Sequence, residues 1–400
     1  MNAQALPPII NFGPNDYKAG NQNWMISQGD DKQIYVANNS GLLQFDGEHW
    51  NLYQAPEKTA LRSVLASGDR VFTGSYMDFG YWKPNRYGRL QYISLKDSIA
   101  SGLVDGEQFW DIKEVDDHVI FQSHQRLYSF NKNSGQVGSI VTEKNISNLF
   151  KIRKKIYFQV VDKGLFVVED GFGKPFISNN KIGNKVIVGL FPYGEEKILA
   201  VTRDNGLFII TGNQWEVFPI EGYPSSESFF SAEYLEDGSL ALGSIGGGLY
   251  VIDALGKKKF HISQPTVMNN TFLSIMEDKE GNLWGGLDNG IAVINKNSRF
   301  RLFVDTFGDI GTVYCSAVVD GIIYLGSNQG LYYKEKEAEG IFKLVPGTTG
   351  QVWSINQIDD ELYVGHDRGA FIVKDSTANL VWQGLGTWTV KKIGEGIIQG

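Results

Sequence analysis

The sequence predicts an all-β fold, a β-propeller of four-stranded antiparallel blades, from three observations: a recurring glycine turn, its spacing, and the character of the runs on either side of it. A β-rich run, a short polar turn, a glycine, apolar residues and a second β-rich run recur along the 400 residues. The glycines are Gly41, Gly80, Gly164, Gly206, Gly248, Gly290, Gly330 and Gly369, and a ninth copy carries Arg126 in the same place. Eight steps separate Gly41 from Gly369, a mean period of about 41 residues. Four strands of about six residues joined by four short connections fill roughly that length. The runs alternate β-branched and aromatic residues with period two rather than 3.6, which excludes helical repeats, and leucine-rich or β-helical repeats are shorter. A propeller is what remains.

Each repeat resolves into its strands in order. A run before the turn forms the innermost strand, as at 23–28, 61–66, 109–114, 271–278 and 351–358. The two arms of the glycine turn form the middle strands. An outer strand follows, as at 50–54, 215–219 and 300–304. One blade cannot cover both faces of its own sheet, so neighbours stack and ring closure protects the edges. About ten repeats are present. The last, at 387–394 and 396–400, starts a blade and stops inside it, so the chain is expected to be cut short relative to its parent. The expected organisation is a lead-in segment over 1–22, a first propeller of about seven blades over 23–305, and the start of a second, with about three blades, over 306–400. Eight blades in the first ring would move the boundary to about 345, and the spacing alone admits both.

Composition narrows the function classes. Hydrophobic residues at 42% and aromatic residues at 13% are ample for a large core, and 47 glycines suit many tight turns. A net charge of -8 repels a phosphate backbone, so nucleic acid is not an expected partner of this segment. The single cysteine, Cys315, excludes an internal disulfide framework and reads as a small buried apolar residue. No apolar run reaches the roughly 18 residues of a membrane span. The stretch Asn2-Ala3-Gln4-Ala5 has the small residues found beside a signal-peptidase site, which makes an exported product the expectation.

The copy from Ser274 through Asp278, Gly281, Asn282 and Trp284 to Gly290 and Ile291 resembles the two-component regulator propeller repeat of Bacteroidetes-type periplasmic sensors. The stretches 20–24 with 41–47, and 76–82, are similar to the N-terminal region of one branch of these sensors. The resemblance covers the whole chain. It implies a periplasmic sensor of oligosaccharides or other nutrients whose parent continues into more blades, a triple-tyrosine domain, a membrane helix and a LuxR-type helix-turn-helix, or in a related branch a hybrid histidine kinase. Any contact with the membrane would come only through those missing C-terminal parts.

The sequence carries no recognisable catalytic pattern. The turn from Asp278 to Trp284 has two residues between Asp and Gly, unlike a sialidase Asp box. The five histidines have no zinc-binding spacing, and there is neither a GxSxG motif nor a phosphate-binding loop. No cofactor and no metal are expected, and this chain is read as non-enzymatic. Ligand-binding candidates come from propeller geometry, in which innermost-strand starts and the turns between second and third strands share one face. The starts contribute Trp24, Arg62, Trp110, Phe229, Tyr314 and Trp353. The turns contribute Asn38, Asn39, Tyr76, Asp78, His124, Arg203, Asp204, Asp288, His366 and Asp367. The leading candidates are Trp24, Asn38, Arg62, Tyr76, Trp110, His124, Arg203 and Asp204. Aromatic faces with convergent polar groups suit an oligosaccharide or similar extracellular small molecule, and would equally suit a peptide; packing between blades is the competing role for the tryptophans. A second copy of the chain is a further expected partner. The competing functions are a secreted carbohydrate-active lyase or hydrolase, and a protein-interaction scaffold.

Overall fold

The computed structural model describes residues 5–99, 101–140, 145–212, 214–222, 226–303, 308–336, 338 and 341–400. Its strands form nine four-stranded sheets and one two-stranded sheet, each joined antiparallel to its neighbours in the sheet. The chain divides into two compact units, Pro7–Phe300, and Arg301–Gly400 with Met1–Leu6.

The unit Pro7–Phe300 contains seven blades. Blade 1 is Asn23–Gln28, Ile34–Asn38, Gly41–Phe45 and Trp50–Tyr53 from inside to outside. Blades 2 to 6 repeat that order over 63–94, 109–140, 146–178, 187–218 and 229–262. Each innermost strand packs on the next, and Phe272–Glu277 of blade 7 packs on Asn23–Gln28 of blade 1, so the ring is closed.

Blade 7 departs from the expected order. Its inner three strands are Phe272–Glu277, Leu283–Leu287 and Ile291–Ile294, and its fourth is Ile9–Phe12, with Ile9 opposite Ile294 and Phe12 opposite Ile291. The segment expected to be a lead-in therefore completes the last blade, and the outer strand expected at 300–304 does not form. Phe300 is 79% exposed and Leu302 makes only an isolated bridge to Leu6; Val304 lies outside the described residues. Phe12 has the better packing partners, its ring 5.4 Å from both Phe45 and Trp50 of blade 1. Pairing the start of the ring with its end removes an open edge.

The core lies between blades. Alternate residues of the middle strands meet the neighbouring sheet, as where Phe72 and Phe79 of blade 2 pack with Phe109, Phe121, Tyr128 and Phe130 of blade 3. The Phe79 ring is 4.6 Å from Phe109 and 4.8 Å from Phe121, and burying one such side chain contributes about 2–3 kcal/mol. The glycine turns have a steric cause. Gly41 sits at φ 138°, and a Cβ there would run into the Tyr53 carbonyl of the outer strand. Arg126 is not among the residues of positive φ, which is why that copy dispenses with glycine.

A second device recurs at the start of the innermost strands. Pairing with the second strand skips one residue: Trp24, Trp110, Ser147, Val188, Phe230 and Leu273 in blades 1, 3, 4, 5, 6 and 7. Such a bulge frees a side chain from the alternation of the strand and re-aims it.

In the other unit, one four-stranded sheet runs from Val313–Val319 to Lys343–Leu344 and another from Val352–Ile358 to Thr377–Gln383. Val390–Ile393 and Gly396–Gln399 form the two-stranded sheet. Cys315 is half-buried in the first of these, and burial pushes its thiol up to about 11. Among the described residues no helix is long and apolar enough to cross a membrane.

Candidate functional site

The bulges at Trp24 and Trp110 create the main constellation. Their rings lie 5.9 Å apart in an edge-to-face arrangement although they come from blades 1 and 3, which are not neighbours. Such a meeting is possible only where the inner strands converge on the ring axis. Arg62, just before the innermost strand of blade 2, fills the place between them, its guanidinium carbon 4.2 Å from the Trp24 ring and 5.3 Å from the Trp110 ring. His124 follows, with its ring 5.6 Å from Trp110 and Nδ1 2.8 Å from the Ile146 carbonyl of blade 4.

A relay of amides fixes this cluster from the other side. Gln22 Nε2 donates to Asp288 of blade 7 at 2.6 Å, and Asn39 Nδ2 donates to Gln22 Oε1 at 2.8 Å. The Asn39 carbonyl then accepts from Trp24 Nε1 at 2.8 Å and from Arg62 Nη1 at 3.3 Å. Blades 7, 1, 2 and 3 thus contribute to one continuous surface of rings and polar groups. Burial pushes the Arg62 guanidinium below its ordinary value, and its Nε and the Trp110 Nε1 have no hydrogen-bond partner among the described residues.

The structure brings Trp24, Arg62, Trp110 and His124 together and places the other leading candidates elsewhere. Asn38 is fully buried and saturated: Nδ2 donates to the Gly20 carbonyl at 2.7 Å and to Asn23 Oδ1 at 2.9 Å, while Oδ1 accepts from the Ser40 and Gly20 amides. It pins the entry into blade 1, and a ligand would find no free group on it. Tyr76 is half-exposed in its turn and bridges to Gln108, at the entry to blade 3. Arg203 and Asp204 stand at the junction of blades 5 and 6. The Arg203 carbonyl accepts from the Phe229 amide, Asp204 accepts from Ser228 Oγ at 2.5 Å, and the Arg203 Nε has no hydrogen-bond partner among the described residues.

Several further candidates prove to be framework. Phe229 is core, at 1% exposure. Asp78 is buried, accepting from Ser94 Oγ at 2.6 Å, and burial raises its pKa. His366 is fully buried in the second unit beside Asp367, with Nε2 3.1 Å from the Thr348 carbonyl. Trp353 stacks on Trp388 at 4.2 Å, and Tyr314 is about half-exposed.

Two arrangements escaped the sequence reading. Glu107 and Glu227 each stand two residues before the innermost strand of a blade. The first, wholly buried, accepts from Ser123 Oγ at 2.6 Å and Tyr128 OH at 2.9 Å, and the second accepts from Ser244 Oγ at 2.5 Å and Tyr250 OH at 3.0 Å. The available signal was the same order of Glu-x-Phe, Ser and Leu-Tyr in both blades, at spacings that differ by one residue at each step. The other is charge across the ring axis. Glu233 of blade 6 is pushed up to about 7 by burial, held back by the Lys113 cation from blade 3 and raised further by Glu277. Lys113 Nζ itself lies 2.7 Å from Asp111 Oδ1. Among the described residues no group of three or more His, Cys, Asp or Glu is arranged to hold a metal ion.

No family model matches the chain, and no curated protein matches it. Solved structures do. It is similar to the extracellular domain assigned to the hybrid two-component system BT3049 of B. thetaiotaomicron, with a TM-score of 0.75 and 15% identity over 99% of this chain and 58% of that one. It is also similar to the extracellular domain assigned to the one-component system BT4673 of the same organism, with a TM-score of 0.58 and 17% identity over 100% of this chain and 57% of that one. Virginiamycin B lyase from Staphylococcus aureus matches 72% of this chain with a TM-score of 0.55 and 12% identity, over 99% of its own length. At these identities the likeness shows the fold, a β-propeller. The chain spans less than three-fifths of the length of the two B. thetaiotaomicron domains.

Proposed function

We propose that this chain is the non-catalytic, ligand-binding part of an exported sensor, acting outside the cytoplasm and passing ligand occupancy to output parts of a longer protein. The observation that carries the reading is the convergence of Trp24, Arg62, Trp110 and His124 from two non-adjacent blades and the blade between them. A cluster made by three blades responds to small changes in their packing, so a ligand bridging it can favour one arrangement over another. It shifts an equilibrium only by its difference in affinity for the two states. Rings that take C–H faces, with amides and a guanidinium beside them, suit an oligosaccharide. The likeness to extracellular domains of bacterial signalling systems supports the same reading.

An enzymatic reading draws on one observation, the shared fold with a lyase. A thermal-shift screen against an oligosaccharide panel, with products followed in the same wells, separates the two. Stabilisation of several degrees by one compound, abolished by Trp24→Ala and without turnover, is the expected result. Turnover of that compound would replace the sensor with an enzyme.

A further inference from the structure

We infer that the surface around Arg62 takes the carboxylate of an acidic sugar, so that the ligand is a uronate-bearing oligosaccharide rather than a neutral one. This deepens the reading above and rests on it.

Arg62 has more hydrogen-bonding capacity than the protein satisfies. A guanidinium carries five N–H donors in a planar fork that matches a carboxylate. Among the described residues, the hydrogen-bond partner of the Arg62 guanidinium is the Asn39 side-chain carbonyl, at a long 3.3 Å. No carboxylate among the described residues pairs with it, whereas Lys113 has Asp111 and Lys296 has Glu277. The nearest acid along the relay is Asp288, separated from Arg62 by the side chains of Gln22 and Asn39. The two tryptophan faces hold the cation and strip it of water without neutralising it. A half-buried charge left in that condition is unfavourable, and an incoming oxyanion relieves it with charge-assisted hydrogen bonds. The relay also fixes the orientation of the fork before a ligand arrives, because Asn39 is itself held by Gln22. Specificity follows from the same feature, since a neutral sugar would leave the guanidinium as it stands.

The test is calorimetric titration of the chain with D-glucuronate and tetragalacturonate, against D-glucose and methyl-esterified tetragalacturonate as neutral counterparts. The expected result is saturable binding of the acids at least tenfold tighter than that of their counterparts. Arg62→Gln should remove that preference, bringing acid and neutral counterpart to within about twofold of each other, while Arg62→Lys, which keeps the charge without the fork, should retain part of it. Equal binding of acid and ester, or an acid preference that survives Arg62→Gln, overturns the uronate inference and leaves the sensor reading standing. Binding of neutral sugars alone does the same. Failure of every sugar, charged and neutral, to bind the folded wild-type chain overturns both. Should Arg62→Gln not fold, the acid-to-ester ratio on the wild type and Arg62→Lys decides the matter.

Discussion

Arg62 and Glu233 show how this ring handles charge at the level of single side chains. Arg62 keeps its charge because tryptophan faces and one amide carbonyl hold it; Glu233 sits in the ring with only a remote cation to favour its ionised form. For Glu233 the consequence is a pH dependence with a definite sign. In the unfolded chain the carboxyl ionises near 4.5, whereas in the folded ring it holds its proton up to about 7. Between those values the folded state binds more protons, so this group makes stability fall as pH rises through the window and adds no further change above it. Urea unfolding at pH 4.5 and 7.5 should show Glu233→Gln gaining about 3 kcal/mol on the wild type at the higher pH and well under 1 kcal/mol at the lower. Glu107 is a buried carboxyl group with its hydrogen-bond partners in place. Glu107→Ala strands Ser123, Tyr128 and the Val104 amide, and should cost about 2–4 kcal/mol in the same measurement. At this scale the sequence was partly legible. Counting positions from the glycine turn located Trp24, Arg62, Trp110 and His124 on one face. It could not tell Asn38 from Asn39, adjacent residues of one type, because a single step in the strand separates a saturated anchor from the relay.

Strands and turns carry the regularity that made the fold readable. The glycine marks the entry to the third strand because the outer strand's carbonyl closes the space where a Cβ would go. Gly41→Ala, at φ 138° and against the Tyr53 carbonyl, should cost about 2–3 kcal/mol, while Gly88→Ala, in an exposed turn with open space around it, should cost about 1 kcal/mol; thermal unfolding of the two variants compares them. The strand Ile9–Phe12 was missed because it has no glycine turn of its own. Its partner, Ile291–Ile294, lies some 280 residues away in sequence, and periodicity reports only what repeats locally. The bulges were equally hidden. They follow from the fit of each innermost strand to its neighbour, yet they decide the site, since they release Trp24 and Trp110 from the strand alternation.

Over the whole ring, closure converts seven similar sheets into one object with an axis, and the axis is where unlike residues from distant blades meet. Lys113 and Glu233, three blades apart, interact there, as do Trp24 and Trp110. A ligand seated on the cluster would tie blades 1, 2 and 3 together, and blade 7 through the Gln22–Asp288 link. Amide hydrogen exchange of the chain, with and without the oligosaccharide that raises its melting temperature most, tests this account most directly. It predicts slower exchange confined to residues 22–24, 39–40, 61–63, 109–111 and 124–125. Protection confined to the outer strands, such as Trp50–Tyr53 and Leu90–Ser94, would contradict a binding site on the ring axis.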